Sequence, residues 1–406
     1  MELRKWPRKN DAASIAARRA ALDGQVDAEV FGLDVTPWAD AQEALTGVSV
    51  TPTAVIGPLT ISLGDYELTE PDGVLVERGR STDDEVFVPL AHTEGSLSDS
   101  LYRGARAAAE SGGFRTEVLR DRITRASAFV TQSVEEAVAL GRWIEDELPK
   151  MREWLGGLDE EWVSRYAKLR EVETYVAGPI CHVMWAFTTG DACGPNMMTR
   201  NAYALNMGYV MEHAPRKPER AILEANMGGD KKVSHRYFER GGHGKTVVAE
   251  VTLTDEAVRR VLRTTVDDLL ELSWAGTHGA IASGMQSVAF TPATAIAAIF
   301  NATGQDLGMI GTSSMAHGTG KRVEGGLNAS IRLPGLEVGT VGGGTTLPYA
   351  RAWLGLMDCA GAGKVYRFAQ IVAAATLALE ISASAAMATS GSENFFKAHF
   401  ERGGMR

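Results

Sequence analysis

Hydrophobic and polar positions along the chain follow helical spacing in some stretches and strand-like patterns in others. Helical spacing predicts helices over 11–23, 96–109, 133–155, 160–170, 255–272, 291–303, 349–357 and 365–388. Runs rich in Val, Ile and Thr predict strands over 46–63 (with a turn at Gly57-Pro58), 176–187, 246–253 and 328–337. A hairpin is expected over 67–89, with Pro71-Asp72-Gly73 at its turn, and Pro149 is expected to interrupt the third helix. No internal repeat is present.

Composition sets the size of the core and excludes some classes of partner. The chain has 406 residues, of which 45% are hydrophobic, so it can form a sizeable core and two or three domains. Its formal net charge of −10 argues against general nucleic-acid binding, since phosphate neutralisation needs a basic face. The three cysteines have neither CxxC nor metal-ligand spacing. We therefore predict no metal site, and the sparse cysteines indicate a reducing, cytoplasmic compartment.

The most apolar stretch lies near the C-terminus. It runs from Ile371 to Met387, is rich in alanine and carries Glu380. A membrane-spanning helix needs about 18 or more apolar residues, so this stretch is predicted to be a buried, closely packed helix. We predict neither a membrane span nor a signal peptide.

Four short segments carry groups that are chemically useful together. A TEG triplet contains Glu94, a DKK triplet contains Lys231, a GQD triplet contains Asp306, and the C-terminal segment contains His399. Taken singly, each has a structural explanation as a helix cap, a turn, a solvated lysine pair or a surface histidine. Together they supply a cation, two carboxyl groups and an imidazole, which can stabilise a developing oxyanion and transfer protons.

Two glycine-containing loops are candidates for binding dinucleotide phosphates. The 176–187 strand leads through TGDACGPN into a helix predicted from about 197, and the 328–337 strand leads into GTVGGGT at 339–345. Helix N-terminal amides favour an anion, and glycine allows close approach of the backbone. Neither loop has the GxGxxG context of a Rossmann unit, so each is a weak signal by itself.

In this order, the motifs resemble the catalytic region of HMG-CoA reductases, and the resemblance runs from about Glu43 to His399. It implies an α+β fold in which a large mixed α/β domain (1–126 and 224–389) is interrupted by a smaller cofactor-binding domain (127–223), with a mobile C-terminal flap (390–406). It also implies reduction of an acyl-CoA thioester to the alcohol by two hydride transfers from NADPH or NADH, with HMG-CoA to mevalonate as the default. The short tail after His399 resembles soluble forms of the animal and archaeal class. A homodimer or larger oligomer is implied, with active sites between subunits.

The resemblance also implies roles for individual residues. Lys231 would polarise the carbonyl, Glu94 would supply a proton, Asp306 would tune both, and His399 would protonate the coenzyme A thiolate. The implied cofactor contacts are Asp191, Ala192, Gly194, Asn196, Val341, Gly342, Gly343 and Gly344. The implied substrate contacts are Arg103, Arg125, Glu224, Asn226, Asp230 and Lys232.

Several positions depart from the family pattern. Cys193 and Pro195 differ in the first glycine loop, and Thr294 replaces an Asn that supports the catalytic lysine. Trp274 stands where the family has a lysine that binds the acyl carboxylate, and Glu224 replaces a serine beside the substrate hydroxyl. An added carboxylate and a lost lysine both oppose a substrate with a terminal carboxylate.

Three alternatives therefore remain open at the level of the sequence. The first is an HMG-CoA reductase, and the second is the same reduction acting on another acyl thioester or carrier. The third is a catalytically silent scaffold or regulator that keeps the fold.

Overall fold

The computed structural model of the chain describes residues 7–23, 32–69 and 73–402. Within these ranges the strands are β1 (Thr53–Leu68), β2 (Val76–Ala91), β3 (Phe114–Val130), β4 (Lys168–Ala177), β5 (Ile180–Thr188), β6 (Arg220–Ile222), β7 (Gly244–Thr254), β8 (His317–Val323) and β9 (Gly326–Leu336). The α-helices are α1 (Ala12–Ala21), α2 (Leu97–Ala109), α3 (Val134–Asp146), α4 (Leu148–Gly156), α5 (Pro195–Ala204), α6 (Met211–His213), α7 (Arg236–Arg240), α8 (Asp255–Ala257), α9 (Val266–Ala282), α10 (Pro292–Thr303), α11 (Ile310–Ser313), α12 (Pro348–Leu356), α13 (Val365–Ala388) and α14 (Glu393–Arg402). The π-helical turns Leu205–Val210 and Val258–Leu262 continue α5 and α8.

Strand β3 is the element that joins the two parts of the sheet. Its first half pairs antiparallel with β7 and makes a short parallel contact with β1. Its second half pairs antiparallel with β5, and its last residues also pair with β6. The main path runs β2-β1-β3-β7-β9-β8, and β4 pairs with β5 beside it. This mixed sheet with packed helices confirms the predicted fold class.

Each half of β3 borders its own hydrophobic core. In the larger core, α13 packs on the sheet together with α2 and α10. In the smaller core, Phe129 of β3 and Trp185 and Phe187 of β5 are fully buried under α3, α4 and α5. Residues 123–223 supply the smaller core, close to the predicted 127–223 segment.

Helix α13 is the one described element that is long and apolar enough to cross a membrane. In its most apolar window, 78% of the residues are buried inside the protein. Buried core helices of soluble proteins can be equally long and apolar, and the alanines of α13 pack closely against the sheet. The prediction of a buried, closely packed helix is confirmed.

Local capping explains several of the helix starts predicted from the sequence. The Asp11 carboxylate accepts a hydrogen bond from the Ser14 amide at 2.8 Å, and the Ser133 hydroxyl accepts one from the Glu136 amide at 3.3 Å. Pro149 lies in the first turn of α4, directly after α3 ends, so the predicted interruption is confirmed. Pro292 begins α10, where its missing amide hydrogen is not needed.

Some predicted elements are wrong. The 160–170 segment is not a helix, because the buried Asn201 amide group satisfies the backbone of Ser164 and Ala167 and the chain then enters β4. The 255–272 segment is two helices, because Arg263 has a φ of 59° and Thr265 begins α9 with a capping box. The two strands predicted over 46–63 are the single strand β1, in which Gly57-Pro58 lies at a β-bulge. The 176–187 strand is the end of β4 and most of β5, and the 67–89 hairpin turn lies partly outside the described residues.

A glycine contact fixes how closely α2 approaches α13. A Cβ added at Gly104 would lie 1.8 Å from the Ala378 carbonyl oxygen. We expect Gly104→Ala to lower the free energy of unfolding by about 1–3 kcal/mol or more, because overpacking forces the helices apart. The matched control is Gly355→Ala in α12, where a Cβ meets nothing within 4 Å. It should raise stability by about 0.5–1 kcal/mol. Urea unfolding of both variants tests this, and equal effects would contradict the packing argument.

Candidate active site

The centre of the site is an ion pair between the DKK and GQD triplets. Lys231 lies in a tight turn with a φ of 55°, and its Nζ donates to Asp306 Oδ2 at 2.8 Å. The Asp306 backbone begins a short helical turn, and its Oδ1 accepts from the Gly308 amide at 2.9 Å. The side chains of Lys231 and Asp306 are 46% and 41% exposed, so the pair is accessible from solvent.

This pairing keeps the lysine charged. The hydrogen bond that Lys231 donates to Asp306 raises the pKa of Lys231, and the negative charges of Asp230 and Glu337 act in the same direction. Because its pKa is raised, Lys231 is fully charged at neutral pH and loses its proton only as the pH rises through the raised pKa. Lys231 is therefore a cation throughout the physiological range.

Removing the carboxylate should make this lysine easier to deprotonate. In Asp306→Asn we expect the pKa of Lys231 to fall, because the first cause of its elevation is gone and partial burial then favours the neutral amine. Competitive acetylation followed by mass spectrometry would measure this as increased reactivity of Lys231 at lower pH. Lys232, whose Nζ donates to the Asp230 carbonyl, is the internal reference. Unchanged relative reactivity would show that Asp306 does not control the charge.

Gln305 of the GQD triplet connects this pair to the second glycine loop. Its buried side chain donates from Nε2 to the Gly339 carbonyl at 3.0 Å and accepts from the Gly339 amide at 2.9 Å. It also donates to the Thr303 carbonyl at 3.2 Å. Sequence reasoning did not single out Gln305, although its place inside the GQD triplet was the available signal.

The two glycine loops lie against each other. The Thr340 amide donates to the Asp191 carbonyl at 2.8 Å, and a Cβ on Gly339 would lie 2.7 Å from the Cys193 amide nitrogen. The Asp191 carboxylate accepts from three backbone amides at the start of α13, those of Gly363, Lys364 and Val365, at 2.8–3.0 Å. The structure thus gives Asp191 an anchoring role, and its predicted contact with a cofactor stays a prediction.

The loops leave an open glycine surface suited to a dinucleotide. Gly342 and Gly343 are exposed with φ of 73° and 54°, and a Cβ at either would meet nothing within 4 Å. Gly194, with a φ of 90°, precedes α5, whose amide end favours an anion. Pro195 removes one of those amides. Ala192 is half-buried and Asn196 is exposed, whereas Val341 and Gly344 are half-buried in the second loop.

Arg125 is held by acidic groups of the same site. Arg125 is 8% exposed, and its guanidinium donates through Nη1 to Glu224 Oε2 and, at 3.0 Å, to Asp230 Oδ2. Its Nη2 donates to Thr199 Oγ1 at 3.0 Å. The other Glu224 oxygen accepts from the Asn226 amide at 2.7 Å. One guanidinium therefore faces two carboxylates before any substrate arrives.

Arg103 is bound to helix α13. Its Nε donates to Ser382 Oγ at 2.9 Å and its NH2 donates to the Ser382 carbonyl at 2.6 Å. Burial, with a smaller contribution from the Arg263 charge, lowers the pKa of Arg103. The predicted contact between Arg103 and coenzyme A stays a prediction.

Glu94 and His399 form no ion pair with the lysine in the described part of the chain, and both are exposed. His399 lies on α14, where its Nδ1 contacts the Phe395 carbonyl at 2.8 Å. Trp274 is 67% exposed on α9, and Thr294 is half-buried in the first turn of α10.

Comparisons with known proteins agree on the family. The sequence profile of the hydroxymethylglutaryl-coenzyme A reductase family matches residues 15–403. The 3-hydroxy-3-methylglutaryl-coenzyme A reductase of Aeropyrum pernix is 38% identical over 349 residues, covering 84% of this chain and 77% of that protein. The enzyme of Methanothermobacter thermautotrophicus is 34% identical, covering 88% and 83%. Both relatives are archaeal, in line with the predicted class.

A solved structure matches the fold. The class II 3-hydroxy-3-methylglutaryl-CoA reductase from Streptococcus pneumoniae, bound to NADPH in open conformations, superposes with a TM-score of 0.66. The match covers 92% of this chain and 97% of that one at 17% identity. The motif order, the joined DKK and GQD triplets and the sequence match lead to one assignment: the chain belongs to the hydroxymethylglutaryl-coenzyme A reductase family and is an oxidoreductase of that type.

Proposed function

We propose that this protein reduces an acyl-CoA thioester to the alcohol with NADPH or NADH, and that HMG-CoA, giving mevalonate, is its default substrate. The observation that carries the proposal is the Lys231–Asp306 pair at 2.8 Å, tied by Gln305 to the second glycine loop. A fixed cation beside a surface suited to a dinucleotide meets the main requirement of carbonyl reduction. The two relatives bear the name of an enzyme with this substrate.

The roles of the side chains follow from their charges. Lys231 stabilises the oxyanion that forms as the carbonyl is reduced, and Asp306 keeps that lysine charged. Glu94 donates the proton to the carbonyl oxygen, and His399, carried by the 390–406 flap, protonates the departing thiolate. Both side chains are exposed and therefore accessible to a bound substrate, and closure of the flap would bring His399 over the site.

The reaction balances with two equivalents of cofactor. One thioester, two reduced nicotinamides and two protons give one alcohol, one coenzyme A thiol and two oxidised nicotinamides. The first transfer leads through a hemithioacetal to an aldehyde, and the second gives the alcohol. When bound, the reduced nicotinamide supplies the hydrides. The glycine loops at 191–196 and 339–345 would hold it, and residues 127–223 would form the smaller, cofactor-binding domain.

The assembly follows the family expectation. We place the first and second parts of the large domain at 1–126 and 224–389, and we propose a homodimer or larger oligomer with active sites between subunits. The proposed location is the cytoplasm.

A second candidate function is the same reduction on an acyl group without a terminal carboxylate. Arg125 already faces Glu224 and Asp230, and Asn226 holds Glu224 in place. A hydroxymethylglutaryl group carries a free carboxylate, which would compete with both acidic side chains for that guanidinium. A substrate carboxylate about 4 Å from one of these acidic side chains would be repelled by about 4 kcal/mol at an effective dielectric constant of about 20. That is large enough to change acyl preference.

The test is an absorbance assay of nicotinamide oxidation with coenzyme A release measured in parallel. NADPH and NADH are tested separately with HMG-CoA and with acyl-CoA thioesters that lack the carboxylate. Two nicotinamides oxidised per coenzyme A released from HMG-CoA supports the default substrate, whereas turnover of another thioester alone supports the second candidate. Cofactor binding with no turnover across the panel would refute both and support the silent scaffold.

A further inference from the structure

A buried cluster of three metal-ligating side chains lies behind the DKK turn. Asp230 belongs to that turn, His243 precedes β7, and Glu337 follows β9. The side chains of His243 and Glu337 are completely buried. One potential ligand atom from each of the three residues lies within 4.8 Å of the other two.

Each of the three side chains has a buried polar atom without a hydrogen-bond partner. Among the described residues, these atoms are Oε2 of Glu337, Oδ1 of Asp230 and both ring nitrogens of His243. The closest approach between a ring nitrogen and a carboxylate is 3.6 Å, from His243 Nδ1 to Glu337 Oε2, which is too long for a hydrogen bond. Buried donors and acceptors are nearly always partnered, so one such atom from each of three residues around one point indicates a ligand there.

Charge favours a cation at that point. Glu224 and Asp230 share the single guanidinium of Arg125, while Glu337 faces only the His243 imidazole. Three carboxylates with one directly paired guanidinium leave an excess of negative charge, which favours a bound cation.

None of the neighbouring lysines forms an ion pair with the three described carboxylates. Lys231 pairs with Asp306 at 2.8 Å, and Lys245 pairs with Asp121 at 3.4 Å. Lys232 Nζ donates to the Asp230 backbone carbonyl at 2.9 Å, and Asp230 and Glu337 act on Lys231 only as nearby charges.

The distances also suit an intervening metal ion. Ligand atoms bonded to zinc at about 2.0–2.2 Å lie roughly 3.3–3.6 Å apart in a tetrahedral site. The 3.6 Å separation of His243 and Glu337 matches this value, and small movements of the Asp230 turn would complete the third bond. One histidine and two carboxylates leave a fourth position for water.

The ligands are held in place by their neighbours. The second oxygen of Glu337 accepts from the Thr312 hydroxyl, and the Glu337 amide donates to Ser313 Oγ at 3.0 Å. The ring of Tyr237 stacks on His243 at 6.0 Å with an interplanar angle of 20°, and its hydroxyl donates to the Gly229 carbonyl at 2.9 Å. Metal sites are characteristically supported in this way by a second layer of contacts.

We propose that Asp230, His243 and Glu337 bind one divalent transition-metal ion of the zinc class. The ion would join the DKK turn to the ends of β7 and β9 and so fix the residue next to Lys231. Its presence does not depend on which acyl group the protein reduces.

The experiment uses full-length protein that has been stripped with a chelator and dialysed. We expect Co²⁺ titration to give visible ligand-field absorption that saturates at one equivalent per chain, and Zn²⁺ to displace Co²⁺ and raise the Tm. Glu337→Gln and His243→Gln should each weaken Co²⁺ binding at least tenfold. The matched control is His213→Gln, which changes an exposed histidine on α6 and should leave binding unchanged.

The wild-type titration alone can overturn the proposal. Absence of saturable absorption and of any Tm shift with Co²⁺ or Zn²⁺ would mean that the three side chains bind no metal ion, and would refute the proposal. Saturable binding that persists in both His243→Gln and Glu337→Gln would place the metal elsewhere and would equally refute it. If one variant fails to fold, the other variant and the wild type still decide the outcome.

Discussion

Lys231→Met is expected to reduce thioester reduction by about 10²–10³-fold in kcat, the effect typical of losing one preorganised oxyanion donor. Methionine keeps much of the length of the side chain and removes the charge, so cofactor binding at the separate glycine loops should persist. The measurement is kcat from nicotinamide absorbance, with cofactor affinity taken from fluorescence titration of the same samples.

The matched control for this variant is Lys217→Met. Lys217 is exposed and pairs at 3.5 Å with Glu212, so its replacement should change neither kcat nor cofactor affinity. If Lys231→Met kept full kcat, the ammonium would not be the electrophilic group. If it lost cofactor affinity to the same degree as kcat, the effect would be structural.

Glu224→Gln is expected to raise kcat/KM for HMG-CoA by about 10–100-fold. The substitution removes one of the two carboxylates that face Arg125 while keeping an oxygen acceptor for the Asn226 amide. The full Coulomb effect at 4 Å would be larger, but the Glu224 side chain is 35% exposed and solvent screens it. The change should appear mainly in KM, since the terminal carboxylate of the acyl group is remote from the reacting carbonyl and contributes chiefly to binding.

The matched control for this variant is Glu212→Gln, which changes an exposed carboxylate on the surface. It should leave kcat/KM unchanged for every thioester. An acyl-CoA without a terminal carboxylate should gain little from Glu224→Gln. If HMG-CoA turnover fell instead, Glu224 would be contributing to binding of this substrate, and the second candidate function would lose its main support.

Local motifs predicted much of this site because their chemistry is contained in three or four adjacent residues. The DKK and GQD triplets are 75 positions apart, yet the resemblance anticipated that Lys231 and Asp306 act together, and the structure brings them within 2.8 Å. The helix boundaries at Asp11, Ser133 and Pro292 were equally accessible, since caps and prolines act over one helical turn.

Other features depended on contacts that no local pattern carries. Strand β3 was missed because its sequence is dense in charge, and its buried Arg122 is compensated by Glu171 and Glu173 of a distant strand. The ion pair between Arg125 and Glu224 spans 99 positions. The His243 cluster likewise draws on three separate elements, so no spacing rule could have indicated a metal site there.

Gln305 gives the site a property that follows from holding the Gly339 peptide by both its amide and its carbonyl. Asp306 is the next residue, so the carboxylate that raises the pKa of Lys231 and the loop proposed to face the nicotinamide are joined through one side chain. Replacing Gln305 would therefore disturb the position of the lysine's partner and of the glycine loop together, although no described contact joins Gln305 itself to Lys231.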